Sequence, residues 1–240
     1  MSLKDKVVIV TGASSGIGEA IGRDLADGGC KVMLAARREE KLKSLSEELG
    51  DSVAYHVTDV TDDEQVQKMA QATIDRFGKI DVLVNNAGIM PVTPLIDLKL
   101  DDWNKAIDIN IRGVLHGIAA VLPHMSERSS GHIINTGSIA SLKAEANFAV
   151  YCGTKFAVRA ISEALRKEML GKVRVTLICP GAVESELVES SNDEQTSKQI
   201  NSSFDYMSPS AISNAVNYAI AQPDGVSVNE IVVRPSTEEF

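Results

Sequence analysis

Three side chains between residues 138 and 155 have the types and the spacing that carbonyl chemistry needs. Tyr151 and Lys155 stand four residues apart, so a helix beginning near Ala149 places both on one face. A strand that ends near Ser138 brings a hydroxyl to the same point. A tyrosine hydroxyl has an ordinary pKa of about 10, and an ammonium within roughly 4–6 Å favours the phenolate. We therefore predict that Ser138 holds a carbonyl oxygen, that Tyr151 gives it a proton and that Lys155 lowers the tyrosine pKa.

A Y-x-x-x-K pair by itself is more simply interpreted as a pair on a helix surface, so this prediction also needs a hydride carrier. An apolar, β-branched run at residues 6–11 predicts a buried strand, and a helical pattern follows the sequence TGASSGIG at 11–18. Gly12, Gly16 and Gly18 allow a tight turn and close approach to a pyrophosphate at a helix N-terminus. Their spacing differs from the G-x-G-x-x-G fingerprint, so the position of this loop after the first strand carries the prediction of a dinucleotide site.

The end of the second predicted strand, residues 31–36, indicates which dinucleotide binds. An acidic residue there would accept from a ribose 2′-hydroxyl and repel a 2′-phosphate, whereas this chain has Arg37 and Arg38 after Ala36. Guanidinium groups suit phosphate, and cations at a helix start are disfavoured by its dipole unless an anion binds. We therefore predict NADP over NAD. The alternative is that the two arginines only solvate the helix start.

Polar residues follow or interrupt the next elements. Asp59 and Val60 stand at the end of a third strand, residues 52–58, where Asp59 either meets the adenine amino group or caps the following helix. Asn86 follows the fourth strand, where the cofactor would pass. Asn110 breaks the apolar face of a long helix that begins near residues 101–102, and it either contacts backbone or takes part in a proton relay.

Strand and helix patterns alternate along the chain, which predicts an α/β fold of the doubly wound Rossmann type. Its parallel sheet is expected to be covered by helices on both faces, with ligands at the carboxyl ends of the strands. No linker or repeat divides the chain, so residues 1–240 are expected to form one catalytic domain. The polar, acidic segment from Glu184 to Asp205 is long enough for a substrate lid, which we place at residues 184–206.

The composition limits the partners. The chain has 240 residues, of which 44% are hydrophobic, and its net charge of −9 argues against nucleic acid. No apolar run approaches the roughly 20 residues of a membrane helix, and the N-terminus enters a strand without a signal-peptide pattern. The three cysteines and four histidines show no metal-binding spacing. We expect a cytoplasmic protein with reduced thiols, no metal and no membrane partner.

Together, the sequences TGASSGIG and NNAG, Asn110, Ser138, Y-x-x-x-K and Pro180-Gly181 resemble the short-chain dehydrogenase/reductase family in order and spacing. This resemblance covers essentially the whole chain. It implies a Rossmann-type domain with a seven-stranded sheet that binds NAD(P) without a metal. It implies that Tyr151 is the acid/base, that Lys155 binds the nicotinamide ribose, that Ser138 orients the substrate and that Asn110 holds a water in the proton relay.

The resemblance also implies a set of cofactor contacts and one position that binds the 2′-phosphate, Arg37. The contacts are Gly12, Ser14, Ser15, Ile17, Asp59, Val60, Asn86 and Val183. Ser15 stands where many NADP-using members have a basic residue, so phosphate binding would rest on Arg37, with Arg38 a further candidate and Ser14 assisting. Ser185 stands where a threonine often holds the nicotinamide amide.

The expected reaction is reversible hydride transfer between NADPH and a ketone, an aldehyde or a secondary alcohol. A neutral substrate is favoured because the segment from Glu184 to Asp205 offers only Lys198 against six acidic residues. Apolar candidates for the pocket are Ile89, Met90, Ile139, Phe148 and Leu187. The sequences AARREEKL, GHIINTGS and VNEIVVRP are also similar to the branch that contains serine and 3-hydroxy acid dehydrogenases, for which Lys143 would serve the carboxylate.

Two further alternatives remain from the sequence. One is a reductase of 3-oxoacyl thioesters, and the other is an NADP-sensing regulator without turnover, which would be expected to lack one of the three catalytic residues. The resemblance implies a homotetramer, or less often a dimer, built from helices at roughly 101–126 and 150–170.

Overall fold

The computed structural model describes residues 3–187 and 205–237, in which seven parallel strands form one sheet. The strand order is β3-β2-β1-β4-β5-β6-β7, so the winding reverses between β1 and β4 and opens a crevice there. This is the predicted doubly wound Rossmann-type fold. The strands are β1 (Val7–Thr11), β2 (Lys31–Ala36), β3 (Val53–Val57), β4 (Val82–Asn85), β5 (His132–Thr136), β6 (Arg174–Pro180) and β7 (Glu230–Val233).

Helices cover both faces of the sheet because the strand side chains are apolar on both sides. In β1, Val8 and Val10 pack into one core cluster with the helices at 16–27 and 210–221, while Ile9 packs into the other with the helices at 63–77, 113–127 and 149–168. The helices are α1 (Gly16–Asp27), α2 (Glu39–Leu49), α3 (Asp63–Phe77), α4 (Leu100–Ile107), α5 (Gly113–Glu127), α6 (Ala149–Glu168) and α7 (Ser210–Ala221).

The long helix expected around Asn110 is interrupted by a π-helical turn. Asp108–Arg112 forms this turn between α4 and α5, and Asn110 within it is buried. Such turns are often found at functional sites because the extra residue re-aims a side chain without ending the helix.

The combined helix bears on the expectation that no apolar run approaches a membrane span. Leu100–Glu127 is long and apolar enough to cross a membrane by length and composition alone, with a mean hydropathy of 1.2 over an 18-residue window. The core helix of a soluble protein passes the same test, and here Val114, Ile118 and Val121 pack against the sheet. The apolar face of the helix is therefore used in the core.

Most of the predicted lid at 184–206 lies outside the described residues. Within it, the structure describes residues 184–187 and 205–206. The chain leaves β6 through Gly181, and Val183 forms an isolated parallel bridge with Met207, which brings both ends of this segment to the carboxyl edge of the sheet.

Candidate active site

A cavity of about 1050 Å³ opens at the carboxyl ends of the strands, where the fold predicts ligand binding. Two predicted site residues, Asn110 and Gly18, do not line it. The predicted residues that line it are Gly12, Ser14, Ser15, Ile17, Arg37, Arg38, Asp59, Val60, Asn86, Ser138, Tyr151, Lys155, Val183 and Ser185. The fold therefore brings the dinucleotide and catalytic motifs into one space.

The glycine loop forms a tight backbone cradle between β1 and α1. Gly12 has a φ of +67°, and a Cβ there would lie 2.9 Å from the Cα of Ala87. A Cβ on Gly18 would lie 2.3 Å from the oxygen of Gly12, so neither position has room for a side chain. Ser15 precedes α1 without a side-chain cap, which leaves N–H donors of the first turn at the cavity. These features fit a dinucleotide pyrophosphate.

Asn86 holds the cradle against the end of β4, as its position after the strand suggested. Its Nδ2 donates to the oxygen of Thr11 at 3.1 Å, and its backbone N–H donates to Thr11 Oγ1 at 3.0 Å. On the other side of the cradle, Ser185 packs against Gly16. A Cβ built on Gly16 would lie 3.1 Å from the Cβ of Ser185.

The two arginines after β2 have different surroundings. Arg38 donates from Nε to Ser14 Oγ at 3.0 Å and from Nη2 to Ser15 Oγ at 2.6 Å, which ties the start of α2 to the glycine loop. Arg37 is exposed at the cavity, and within residues 3–187 and 205–237 it makes no hydrogen bond or ion pair. Arg38 also pairs with Glu186, and Glu186 with Lys41, neither of which the sequence singled out.

The suggestion that Asp59 caps the following helix was wrong. Asp62 caps α3, because its side chain accepts from the backbone N–H of Gln65. Asp59 Oδ1 instead accepts from the backbone and hydroxyl of Thr61 at 2.9 and 2.8 Å, which forms a local turn at the rim of the cavity.

The three catalytic candidates meet beside the end of β5. Ser138 starts a short 3₁₀ turn, and Ser141 Oγ accepts from its backbone N–H at 3.1 Å, which fixes its position. Tyr151 and Lys155 are buried on one face of α6, with Lys155 Nζ 5.7 Å from the centre of the tyrosine ring. Lys155 Nζ donates to the oxygen of Thr136 at 2.9 Å.

The expected lowering of the Tyr151 pKa is not found in this structure. Burial raises the pKa of Tyr151 to about 12, although its hydrogen bond with Ser138 acts in the opposite direction. Burial likewise lowers the pKa of Lys155 to about 8. Desolvation is the largest cause of both shifts, and near neutrality the tyrosine keeps its proton.

Asn110 contacts backbone, which was one of the two interpretations of its position. Its Oδ1 accepts from the N–H of Ile89 at 2.9 Å, and its Nδ2 donates to the oxygen of Ile89 and to Thr154 Oγ1 at 2.9 and 3.0 Å. The π turn thus anchors the chain after β4 next to α6. One lone pair of Oδ1 remains for a further donor.

The outer part of the cavity mixes apolar and charged groups. The five apolar pocket candidates all line it, and so does an ion pair between Lys143 and Glu145 at 2.7 Å. Tyr206 and Arg234 also line this part. The sequence predicted no role for either, although Tyr206 falls in the predicted lid and Arg234 in the sequence VNEIVVRP.

Comparison with known proteins agrees with this geometry. The chain matches the short chain dehydrogenase family over residues 6–196. It is 47% identical to an uncharacterized oxidoreductase of Staphylococcus saprophyticus, over 100% of this chain and 99% of that protein. A structure of the closed form of serine dehydrogenase complexed with NADP+ is 36% identical, has a TM-score of 0.93, and the match covers 98% of this chain and 96% of that one. A structure of 3-ketoacyl-(acyl-carrier-protein) reductase from Brucella melitensis complexed with NADH is 27% identical and has a TM-score of 0.88. That match covers 97% of this chain and 98% of that one.

Proposed function

This chain belongs to the short chain dehydrogenase family, and from that premise we propose that it transfers hydride between NADP(H) and a carbonyl or alcohol substrate. One observation carries the proposal. Ser138, Tyr151 and Lys155 line the same cavity as Gly12 and Gly16 of the backbone cradle, so acid–base groups and a dinucleotide site share one space.

Each residue has a stated role in carbonyl reduction. The cofactor supplies the hydride when bound. Ser138 and Tyr151 hold the carbonyl oxygen, and Tyr151, protonated near neutrality, gives its proton to that oxygen. Lys155 keeps positive charge beside the phenolate that results, and a water at Asn110 returns the proton to the tyrosine.

Preference for NADP over NAD follows from charge at the end of β2. Ala36 leaves that position without an acid, and Arg37 and Arg38 point to a 2′-phosphate as the group recognised there. Ser14, held by Arg38 Nε, supplies a neutral donor at the same place.

A neutral ketone or aldehyde is the substrate class we favour, because Glu145 balances the charge of Lys143 at the cavity wall. A 3-hydroxy acid is the second candidate. It is supported by Arg234 and Lys143, which could both approach a carboxylate, and by the likeness to a serine dehydrogenase.

A substrate panel tests the proposal. We expect NADPH oxidation with at least one ketone or aldehyde, and a higher kcat/KM with NADPH than with NADH. The panel includes 3-oxo acids, 3-oxoacyl thioesters and, in the reverse direction, serine and other 3-hydroxy acids. Turnover of an acid only, abolished in Arg234→Met, would move the assignment to the second candidate. Binding of NADPH without turnover of any compound would favour the sensor instead.

We further propose a cytoplasmic homotetramer assembled through the long helices. Leu115 on α5 and Phe156 on α6 are 43% and 41% exposed, so each of the two helices offers a large apolar side chain to a partner subunit. A solution mass of four chains would agree with this assembly, and a mass of one chain would contradict it.

A further inference from the structure

A carboxylate of the chain itself pairs with Arg38 and Lys41, which we call the cationic corner; Arg38 lines the cavity, and Lys41 lies next to it on α2. Glu186 Oε2 accepts from Arg38 Nη1 at 2.7 Å, and Glu186 Oε1 accepts from Lys41 Nζ at 3.0 Å. The remaining edges of the Arg38 guanidinium are held by Ser14 and Ser15. Glu186 thus accepts from Arg38 Nη1, the guanidinium nitrogen that the glycine loop does not use, and from Lys41 Nζ.

These donors are the ones that a nucleotide 2′-phosphate would need. Phosphate and carboxylate both accept from guanidinium and ammonium groups, so they compete for the same hydrogen atoms. Ser14, Arg38 and Glu186 all line the cavity, and Lys41 is one turn further along α2 from Arg38. A phosphate at this corner therefore competes with Glu186 for Arg38 Nη1 and Lys41 Nζ.

The ion pairs of Glu186 are weak enough to be exchanged. The side chains of Arg38, Lys41 and Glu186 are 44%, 50% and 43% exposed, and pairs of this kind are screened by water. Hydrogen bonds from Arg38 and Lys41 lower the pKa of Glu186 to about 2, so it is an anion throughout the physiological range. The exchange is between two anions, and protonation of Glu186 takes no part in it.

We propose that Glu186 is a specificity-determining residue of the cofactor site, whose carboxylate occupies the cationic corner and is displaced by a 2′-phosphate. The inference rests on the proposed NADP-dependent function. It makes Lys41 a further phosphate-binding residue, and it means that Glu186 weakens NADP binding while leaving NAD binding unaffected, because NAD carries a hydroxyl at that position.

The test is a titration of the full chain with NADP+ and with NAD+. We expect Glu186→Gln to bind NADP+ about three- to tenfold more tightly, since two exposed ion pairs no longer compete, and to bind NAD+ within about twofold of the wild type. Glu184→Gln is the matched control. It removes the same charge two residues before Glu186, and the Glu184 side chain is exposed and does not line the cavity. Lys41→Met is expected to weaken binding of NADP+ and not of NAD+.

The possible outcomes distinguish a failure of this inference from a failure of the proposed NADP-dependent function. If the wild type prefers NADP+ and Glu186→Gln binds it no more tightly, the inference fails and the proposed function stands. Equal tightening in Glu184→Gln would assign the effect to net charge and also overturn the inference. If the wild type prefers NAD+, the cofactor proposal fails, while a selective gain for NADP+ in Glu186→Gln still supports the inference. Binding of neither cofactor overturns both.

Discussion

At the scale of single residues, Gly88 keeps room beside two polar groups of the active site. A Cβ on Gly88 would lie 3.3 Å from Asn110 Oδ1 and 3.7 Å from Lys155 Nζ. Both amide hydrogens of Asn110 are already donated, so its second Oδ1 lone pair is the acceptor left for a water. The absence of a side chain at Gly88 therefore leaves space where the proposed relay begins.

Gly88→Ala is expected to lower turnover by about tenfold or more while changing the Kd for NADPH little. The methyl group would crowd the space next to Asn110 and Lys155, and general acid–base catalysis supplies about 10²–10⁴-fold in such sites. Steady-state kinetics and a cofactor titration measure the two effects. Gly153→Ala is the control, because a Cβ there meets nothing within 4 Å. Equal activities of the two variants would contradict the role given to Gly88.

At the scale of elements, Asp81 joins the starts of three strands to the end of α5. Its Oδ2 accepts from the backbone N–H of Val7 at 3.0 Å, and its backbone oxygen accepts from His132 at 2.9 Å. Lys79 and Arg128 pair with its carboxylate at 2.7 and 3.0 Å. Burial acts to raise the pKa of Asp81, but these partners outweigh it and hold the pKa below its usual value of 3.8.

Asp81→Asn is expected to lower the free energy of unfolding by about 1–3 kcal/mol near neutrality, because it leaves buried donors poorly paired. Since the folded pKa is lowered, the stabilisation is complete above the ordinary value of 3.8 and is lost as pH falls through the folded value. Urea unfolding at neutral pH and at about pH 3 should therefore show a smaller difference between variant and wild type in acid. Asp51→Asn, at an exposed carboxylate in a turn, is the control. A difference that does not change with pH would rule out the carboxylate as its source.

The geometry of the π turn at Asp108–Arg112 is set by contacts with residues distant in the sequence. The sequence predicts a helix with a polar break at Asn110, but the local pattern does not distinguish a straight helix from one with an extra residue. The turn depends on hydrogen bonds from Asn110 to Ile89 and Thr154, which are 21 and 44 residues away. Tertiary contacts, and not helix propensity, set its geometry.

At the scale of the whole molecule, the sequence predicts the features that local pattern determines. The second strand is predicted at residues 31–36 and is found at Lys31–Ala36, because a short apolar run fills it between clear breaks. The pairing of Glu186 with Arg38 joins residues 148 positions apart, so no local pattern contains it. The Tyr151 pKa differs from its expected direction for a related reason, since burial is a property of the assembled fold. Arg234 also lines the cavity, and its place there depends on the assembled sheet and not on the residues next to it in the sequence.

The central claim is that the assembled cavity binds NADPH and that Tyr151 supplies the proton for carbonyl reduction. Turnover and NADPH binding measured together in Tyr151→Phe test it most directly. Phenylalanine keeps the buried ring beside Lys155 and removes only the hydroxyl, and Tyr218→Phe, at an exposed tyrosine on α7, is the control. We predict that Tyr151→Phe binds NADPH within about threefold of the wild type and loses at least about a hundredfold in kcat. Turnover close to that of the wild type in Tyr151→Phe would contradict the account.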